Sequence, residues 1–351
     1  MRRKTWVTLA IAAIVGVVAV AIAATGGAEK ASAKPEATIK VAISTDIGGL
    51  NDKGFNHLSY VGLQRAKKKL GVQGRVYITN SAAERKPNLQ AAAQGGYNPV
   101  IAVGALYTFG PLDDVAPAFP RTKFIGIDVN FPDLSKKPKN VRGIQFREQE
   151  AGYLVGYIAG LQIKRHPYKG QQRVAAVGAN KVPAIVRFLA GYQAGAKKAN
   201  PRVKVDLVYA NDPTFADQAK CKETTLNEIG KGAGIVFEAA GQCGLGGLNA
   251  AKQKKVWGIG VDADQSFLGP HILTSATKAV DVAVYRAIAA YKKNPSAYKT
   301  GFNQYYTVKN GGVGYGKLSS RLSKADRTFL TRKANAIKKL IAEGKIKPPS
   351  S

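Results

Sequence analysis

The sequence predicts an α/β protein built as two doubly wound lobes of parallel sheet. Three observations carry that prediction. The chain has 351 residues, more than one hydrophobic core usually serves before a chain splits into domains. Short β-branched runs alternate with stretches whose apolar residues fall three and four apart, the pattern of strands joined by helical crossovers and covered on both faces. The order then repeats, which suits two similar halves with a cleft between them.

Strands are expected at Thr38–Ser44, Arg75–Thr79, Val100–Val103 and Lys123–Ile127. Between the first two, Phe55, Leu58, Gly62, Ala66 and Leu70 keep helical spacing. A fifth strand, Val141–Phe146, leads into a long helix over Gln149–Ile163, and the basic segment Lys164–Arg173 opens the second series. Its strands are expected at Val174–Val177, Val203–Val208, Gly234–Phe237 and Val256–Val261, with Ile185, Leu189, Tyr192 and Ala196 on one helix face.

The N-terminus reads as an export signal. Arg2, Arg3 and Lys4 precede an 18-residue run of apolar and small residues, Val7 to Ala24, and then a small, polar, proline-bearing stretch to Ala37. Small-residue sites near Ala21–Ala23 and Ala31–Ala33 suit cleavage. The run is also long enough to stay in the bilayer as an anchor. Either way the remainder is expected outside the cytoplasm.

Lys plus Arg number 53 against 22 Asp plus Glu, a formal charge of +31, which favours anionic surroundings. The basic residues are scattered over polar helix faces, as at Lys67–Lys69, Lys197–Lys198, Lys252–Lys255 and Arg327–Lys339, without interleaved aromatics. That spacing favours an anionic envelope surface over nucleic acid. Hydrolytic chemistry finds little support: His57, His166 and His271 sit in neither G-x-S-x-G nor H-E-x-x-H settings. Gly241-x-x-Gly244-x-Gly246-Gly247 has no phosphate-loop or dinucleotide spacing. The sequence asks for no cofactor and no metal.

Ligands of open α/β sheets bind beyond the carboxyl ends of the strands. Ser44–Asn56, Asp128–Asn130, Gly178–Lys181, Asn211–Phe215, Ala239–Gly244 and Asp262–Gln265 all follow strands. Carboxylates, amides, glycines and one aromatic from each lobe gather there, a set suited to a polar molecule containing a ring.

Asp46, Gly48, Asp52, Gly54, Phe55 and Asn56 stand in the spacing D-x-G-x-x-x-D-x-G-F-N. This resembles the opening of the basic membrane protein family, the purine-nucleoside-receptor type of substrate-binding lipoprotein. The likeness continues through Glu150–Gly156, Pro183–Gly195, Asn200–Pro201, Val236–Gly241, Gly258–Gln265, Leu273–Lys278 and Gly344–Pro348. It implies a periplasmic-binding-protein-like fold of type I, with three hinge crossovers joining the lobes. The N-terminal lobe would comprise 38–146 and 276–302, and the C-terminal lobe 147–275 and 303–348. It also implies a ligand delivered to an ABC permease rather than chemically altered.

By that resemblance Phe55 and Phe215 stack on a purine, with Phe188 in reserve. Asp128, Asp262 and Lys278 grip the ribose, Asp46 and Asn56 lie beside the base, and the Gly241 backbone comes close to the ligand. The residues themselves leave plainer readings open. Phe55 lies on its helix's apolar stripe, and Phe215 heads a stripe through Ala219, Leu226 and Ile229. Asp46 and Asp262 could cap the segments after their strands, and Lys278 could be a solvated helix residue. A receptor that senses a sugar-like or signalling molecule is the alternative function, with Phe215 deciding: a flat base wants it in the cleft, a sugar tolerates it buried.

Three features depart from the family pattern. Gly54 replaces a serine that would cap the following helix, which should loosen that turn. No cysteine occurs in the first 40 residues to carry a lipid. Cys221 and Cys243 follow consecutive strands at the carboxyl edge of the second lobe, and in an oxidising compartment they are expected to pair. Such a loop is worth about 3 kcal/mol in the chain-entropy picture.

Overall fold

The structure, a computed structural model, describes residues Thr38–Ser351; the export segment expected over 1–37 lies outside the described residues. In chain order the first series is β1 (Lys40–Ser44), α1 (Phe55–Leu70), β2 (Gln73–Tyr77), α2 (Arg85–Gln94), β3 (Val100–Val103), α3 (Pro111–Ala118), β4 (Phe124–Ile127) and β5 (Val141–Phe146). The second series is α4 (Glu148–Arg165), β6 (Arg173–Gly178), α5 (Pro183–Ala199), β7 (Lys204–Tyr209), α6 (Gln218–Gly230), β8 (Ile235–Ala239), α7 (Cys243–Gln253), β9 (Trp257–Asp262) and β10 (Ile272–Lys278). The chain then closes with α8 (Val280–Lys293), β11 (Phe302–Tyr306), β12 (Val313–Tyr315) and α9 (Lys324–Ala342).

These strands form two six-stranded sheets, ordered β11-β5-β4-β3-β1-β2 and β12-β10-β9-β8-β6-β7. Each keeps the sequence 2-1-3-4-5, and each gains its sixth strand from the returning chain. Pairing is parallel except between β10 and β12. The central strands β3, β4 and β8 are buried along their whole length, as strands covered on both faces must be; β3 and β4 carry no charged residue, and β8 carries one, Glu238.

The chain passes between the sheets after β5, after β10 and after β11. Two segment boundaries therefore move from those expected. Residues 276–278 complete β10 in the second sheet, and Phe302–Tyr306 belongs to the first sheet as β11. Helix α8 packs on α1, and α9 packs on α4. Lys278 ends a strand and is buried, so the solvated-helix reading of it is wrong. Phe215 precedes α6 by three residues and does not head its stripe.

One helix pair sets the geometry of the site. A Cβ on Gly152 of α4 would overlap the carbonyl of Phe188, and one on Gly191 of α5 would overlap the carbonyl of Gln149. The missing side chains let α5 lie against the start of α4, which brings Arg187 up to Glu148. Among the described residues, no helix is long and apolar enough to cross a membrane.

Candidate functional site

All nine residues singled out from the sequence line one cleft between the sheets, with about 710 Å³ of atom-free space, its open mouth included. From the first half come Asp46 after β1, Phe55 and Asn56 at the start of α1, and Asp128 after β4. From the second come Phe188 on α5, Phe215 after β7, Gly241 after β8, Asp262 ending β9 and Lys278 ending β10. The halves also touch across the cleft, where Gln265 Nε2 donates to the Lys53 carbonyl at 3.3 Å.

The loop after β1 is braced from within. Asn56 accepts the Asp46 amide at 3.0 Å and donates to the carbonyls of Asp46 and Ile47, each at 3.2 Å. Its side-chain amide thus holds the loop's shape. Asp46 Oδ1 accepts from Arg85 Nε at 3.0 Å, Arg85 Nη2 at 2.6 Å and the Ile47 amide at 2.8 Å. Asp46 therefore does not cap the helix. That task falls to Asp52, whose carboxylate takes the amides of Gly54, Asn56 and His57 at 3.0, 2.7 and 3.0 Å. The turn expected to be loosened by Gly54 is instead tied by the residue two positions earlier. Burial raises the Asp52 carboxyl above its ordinary value, against these three amides.

A buried ionic cluster occupies the hinge side of the cleft. Lys278 Nζ lies 2.6 Å from Asp128 Oδ2 and 3.0 Å from Glu148 Oε1. The first contact is a hydrogen bond; the second is a close ion pair whose angles fall short of one. The ammonium also sits 4.9 Å from the Phe55 ring centre and 4.8 Å from that of Phe146, within cation–π range. Burial alone would lower the Lys278 pKa, yet the carboxylates of Asp128, Glu148 and Asp262 outweigh it and hold the group above the usual lysine value. Glu148 Oε2 accepts from Arg187 Nε at 2.6 Å.

The two aspartates of the cluster occupy matching places at the ends of β4 and β9. Both have left-handed backbones, with φ of 63° for Asp128 and 62° for Asp262. Aspartate tolerates that region better than most residues, and paired outliers at a cleft mark function. Burial raises the Asp128 carboxyl, with Lys278 opposing. Burial also pushes Asp262 up to about 7; Lys278 opposes, while Asp128, Asp52 and Glu148 add to the rise. Asp128 Oδ1 is buried with no hydrogen-bond partner among the described residues, an acceptor aimed at nothing the protein supplies.

The aromatic residues divide. Phe188 is buried and packs edge-on against Phe237 at 5.9 Å, although part of it reaches the cleft wall. Phe55 and Phe215 are half-buried and face the cleft. Cys221 and Cys243 form a disulfide with Cα atoms 5.5 Å apart, as expected.

Sequence reasoning missed Glu148 and Arg187 as parts of the cluster, and Gln242, which lines the cleft at the start of α7. One signal was present. The long helix begins at Glu148, one residue before its expected start, so an acidic residue falls directly at a crossover.

The sequence pattern of the Bmp family, described as ABC transporter substrate-binding protein PnrA-like, matches residues 39–349. The chain belongs to that family. Among its relatives, the "ABC transporter nucleoside-binding protein BmpA" of Lactococcus lactis subsp. cremoris is 31% identical, covering 99% of both chains. An uncharacterized lipoprotein of Pyrococcus furiosus is 35% identical over 90% of this chain and 78% of its own length. Of solved structures, a solute-binding protein of an ABC transporter system from Aeropyrum pernix K1 has a TM-score of 0.76 at 28% identity. It covers 89% of this chain and 94% of that one. Membership in this family makes the protein an ABC transporter substrate-binding protein, with a small-molecule ligand and a permease as partner.

Proposed function

We propose that the protein captures a purine nucleoside outside the cytoplasm and presents it, unaltered, to an ABC permease. The observation that carries this reading is the meeting of Phe55 and Phe215, from opposite halves, in one cleft with the Asp128–Lys278–Asp262 cluster. Two aromatic rings suit a flat heterocycle, and stacking contributes about 1–3 kcal/mol per base. Vicinal hydroxyls suit carboxylate acceptors, and Asp128 Oδ1 has its acceptor capacity unused. Asp46, anchored by Arg85 through one oxygen, offers its other oxygen to a donor on the base.

The name of the Lactococcus relative supports the same ligand class. Phe215 lines the cleft, the placement a flat base wants and a sugar does not require. Delivery follows from closing the two halves about their three crossovers.

Calorimetric titration with inosine, guanosine, adenosine, free ribose and free hypoxanthine tests the proposal. A nucleoside should bind far more tightly than ribose, and Phe215→Ala should weaken it by about 1–3 kcal/mol. Equal affinity for ribose and nucleoside would overturn the reading, as would phosphorolysis or hydrolysis of the bound nucleoside. The basic surface, in turn, is proposed to hold the protein near an anionic envelope. Co-sedimentation with anionic vesicles should be lost in about 1 M salt, where the screening length falls to about 3 Å; salt-independent sedimentation refutes it.

A further inference from the structure

The Cys221–Cys243 disulfide lies directly behind the aromatic wall of the cleft. Cys221 is in the first turn of α6 and Cys243 is the first residue of α7. Both are fully buried and form a small cluster with Ala179 and Ala240, against which the Phe215 ring packs. The Cys243 amide donates to the Phe215 carbonyl at 2.9 Å. The Gly241 backbone also passes close by: a Cβ built there would lie 3.3 Å from that same carbonyl and 3.4 Å from the Phe215 Cβ.

Phe215 needs such restraint. Its φ is 59°, a backbone region that bulky residues avoid unless the surroundings impose it. Asp212 braces the loop across Phe215, accepting from the Thr214 amide at 2.9 Å and the Asp217 amide at 2.8 Å. On the C-terminal side the chain runs only six residues before Cys221 is tied to the start of α7.

We infer that the disulfide is a positioning element for Phe215, so that reducing it weakens capture of the flat ring. Cys221 and Cys243 touch no ligand; they act through Phe215. Reduction by a dithiol such as dithiothreitol transfers two electrons and two protons to the two sulfurs. The S–S bond breaks, two thiols form, and the reductant closes to its own cyclic disulfide. The freed start of α6 then no longer holds the 215 backbone in its left-handed conformation, and the ring leaves the wall. The inference rests on the reading of Phe215 as one face of a nucleoside site.

The test is a cycle of variants titrated with inosine: Phe215→Ala, the double variant Cys221→Ala/Cys243→Ala, and all three changes together. The double variant should keep cooperative unfolding and bind about tenfold more weakly, within what one base stack contributes. In the Phe215→Ala background the cysteine changes should add nothing, a non-additivity that a purely structural disulfide would not produce. Wild-type affinity in the double variant, or losses that add in full, overturns the inference and leaves the nucleoside site standing. Unchanged affinity in Phe215→Ala overturns both.

If the double variant does not fold, the native protein is equilibrated in dithiothreitol redox buffers with and without saturating inosine, and thiols are counted by alkylation. Linkage is reciprocal, so a tenfold coupling makes the disulfide harder to reduce by about 30 mV. The shift should vanish in Phe215→Ala, and an inosine-independent midpoint refutes the proposal.

Discussion

Glu238→Gln should stabilise the protein progressively as pH rises. Glu238 lies on β8, where its Oε1 accepts from Thr225 Oγ1 at 2.6 Å. Its Oε2 is buried with no partner among the described residues, and the backbone of Gly247 on α7 closes over the carboxyl. Among the described residues no cation is placed to compensate it, so burial pushes its pKa up to about 8 from 4.5, with only the Thr225 bond opposing. Below pH 4.5 the folded and unfolded chains both carry the proton, and there is no penalty. Between 4.5 and 8 the folded chain keeps a proton that the unfolded chain has lost, so stability falls with rising pH by about 1.4 kcal/mol per unit. By pH 7 the loss reaches about 3 kcal/mol.

Glutamine keeps the acceptor for Thr225 and the shape, and it has no proton to lose. Urea unfolding of both proteins should therefore give similar midpoints at pH 5 and a gap of about 1 M by pH 7, at an m-value of about 3 kcal/mol/M. Curves that stay parallel from pH 5 to 8 would refute the reasoning, because they would mean that Glu238 is ionised in the folded state.

Nucleoside affinity should rise with pH through about 7, because Asp262, raised to about 7 by burial, must lose its proton to accept from ribose hydroxyls. Calorimetry from pH 5.5 to 8.5 should show up to about tenfold per unit on the acid side, flattened in Asp262→Asn; a level wild-type profile removes Asp262 from the grip. Asp52→Ala should cost about 2 kcal/mol in thermal unfolding, at the upper end for a helix cap because three amides lose their acceptor; a loss below about 0.5 kcal/mol would show that the turn holds itself.

Much of this fold is written locally. The strand runs are apolar because both sheet faces are covered, and the helices between them keep a 3.6-residue period, so the order of elements is read without knowing any contact. The residues after the strands are equally visible, since a parallel sheet exposes its ligand only at its carboxyl edge. That geometry is why the segments holding Asp46, Phe55, Asn56, Asp128, Phe215, Gly241 and Asp262 could be picked out in advance. The motif likeness added Phe188 and Lys278 and suggested what each residue does.

What the local pattern lacks is any record of which buried charges meet. Glu148 and Arg187 lie 39 residues apart, and Lys278 reaches Asp128 across 150. No periodicity marks such a pair, because each side chain's charge is stabilised by groups that arrive only when α4, α5 and β10 converge. The helix cap passed from position 54 to Asp52 for a related reason: a carboxylate two residues upstream reaches the same amides once the loop bends. Elements and their order follow from short-range periodicity and solvation, whereas the charged centre of the cleft and the restraint on Phe215 exist only where distant segments exclude water together.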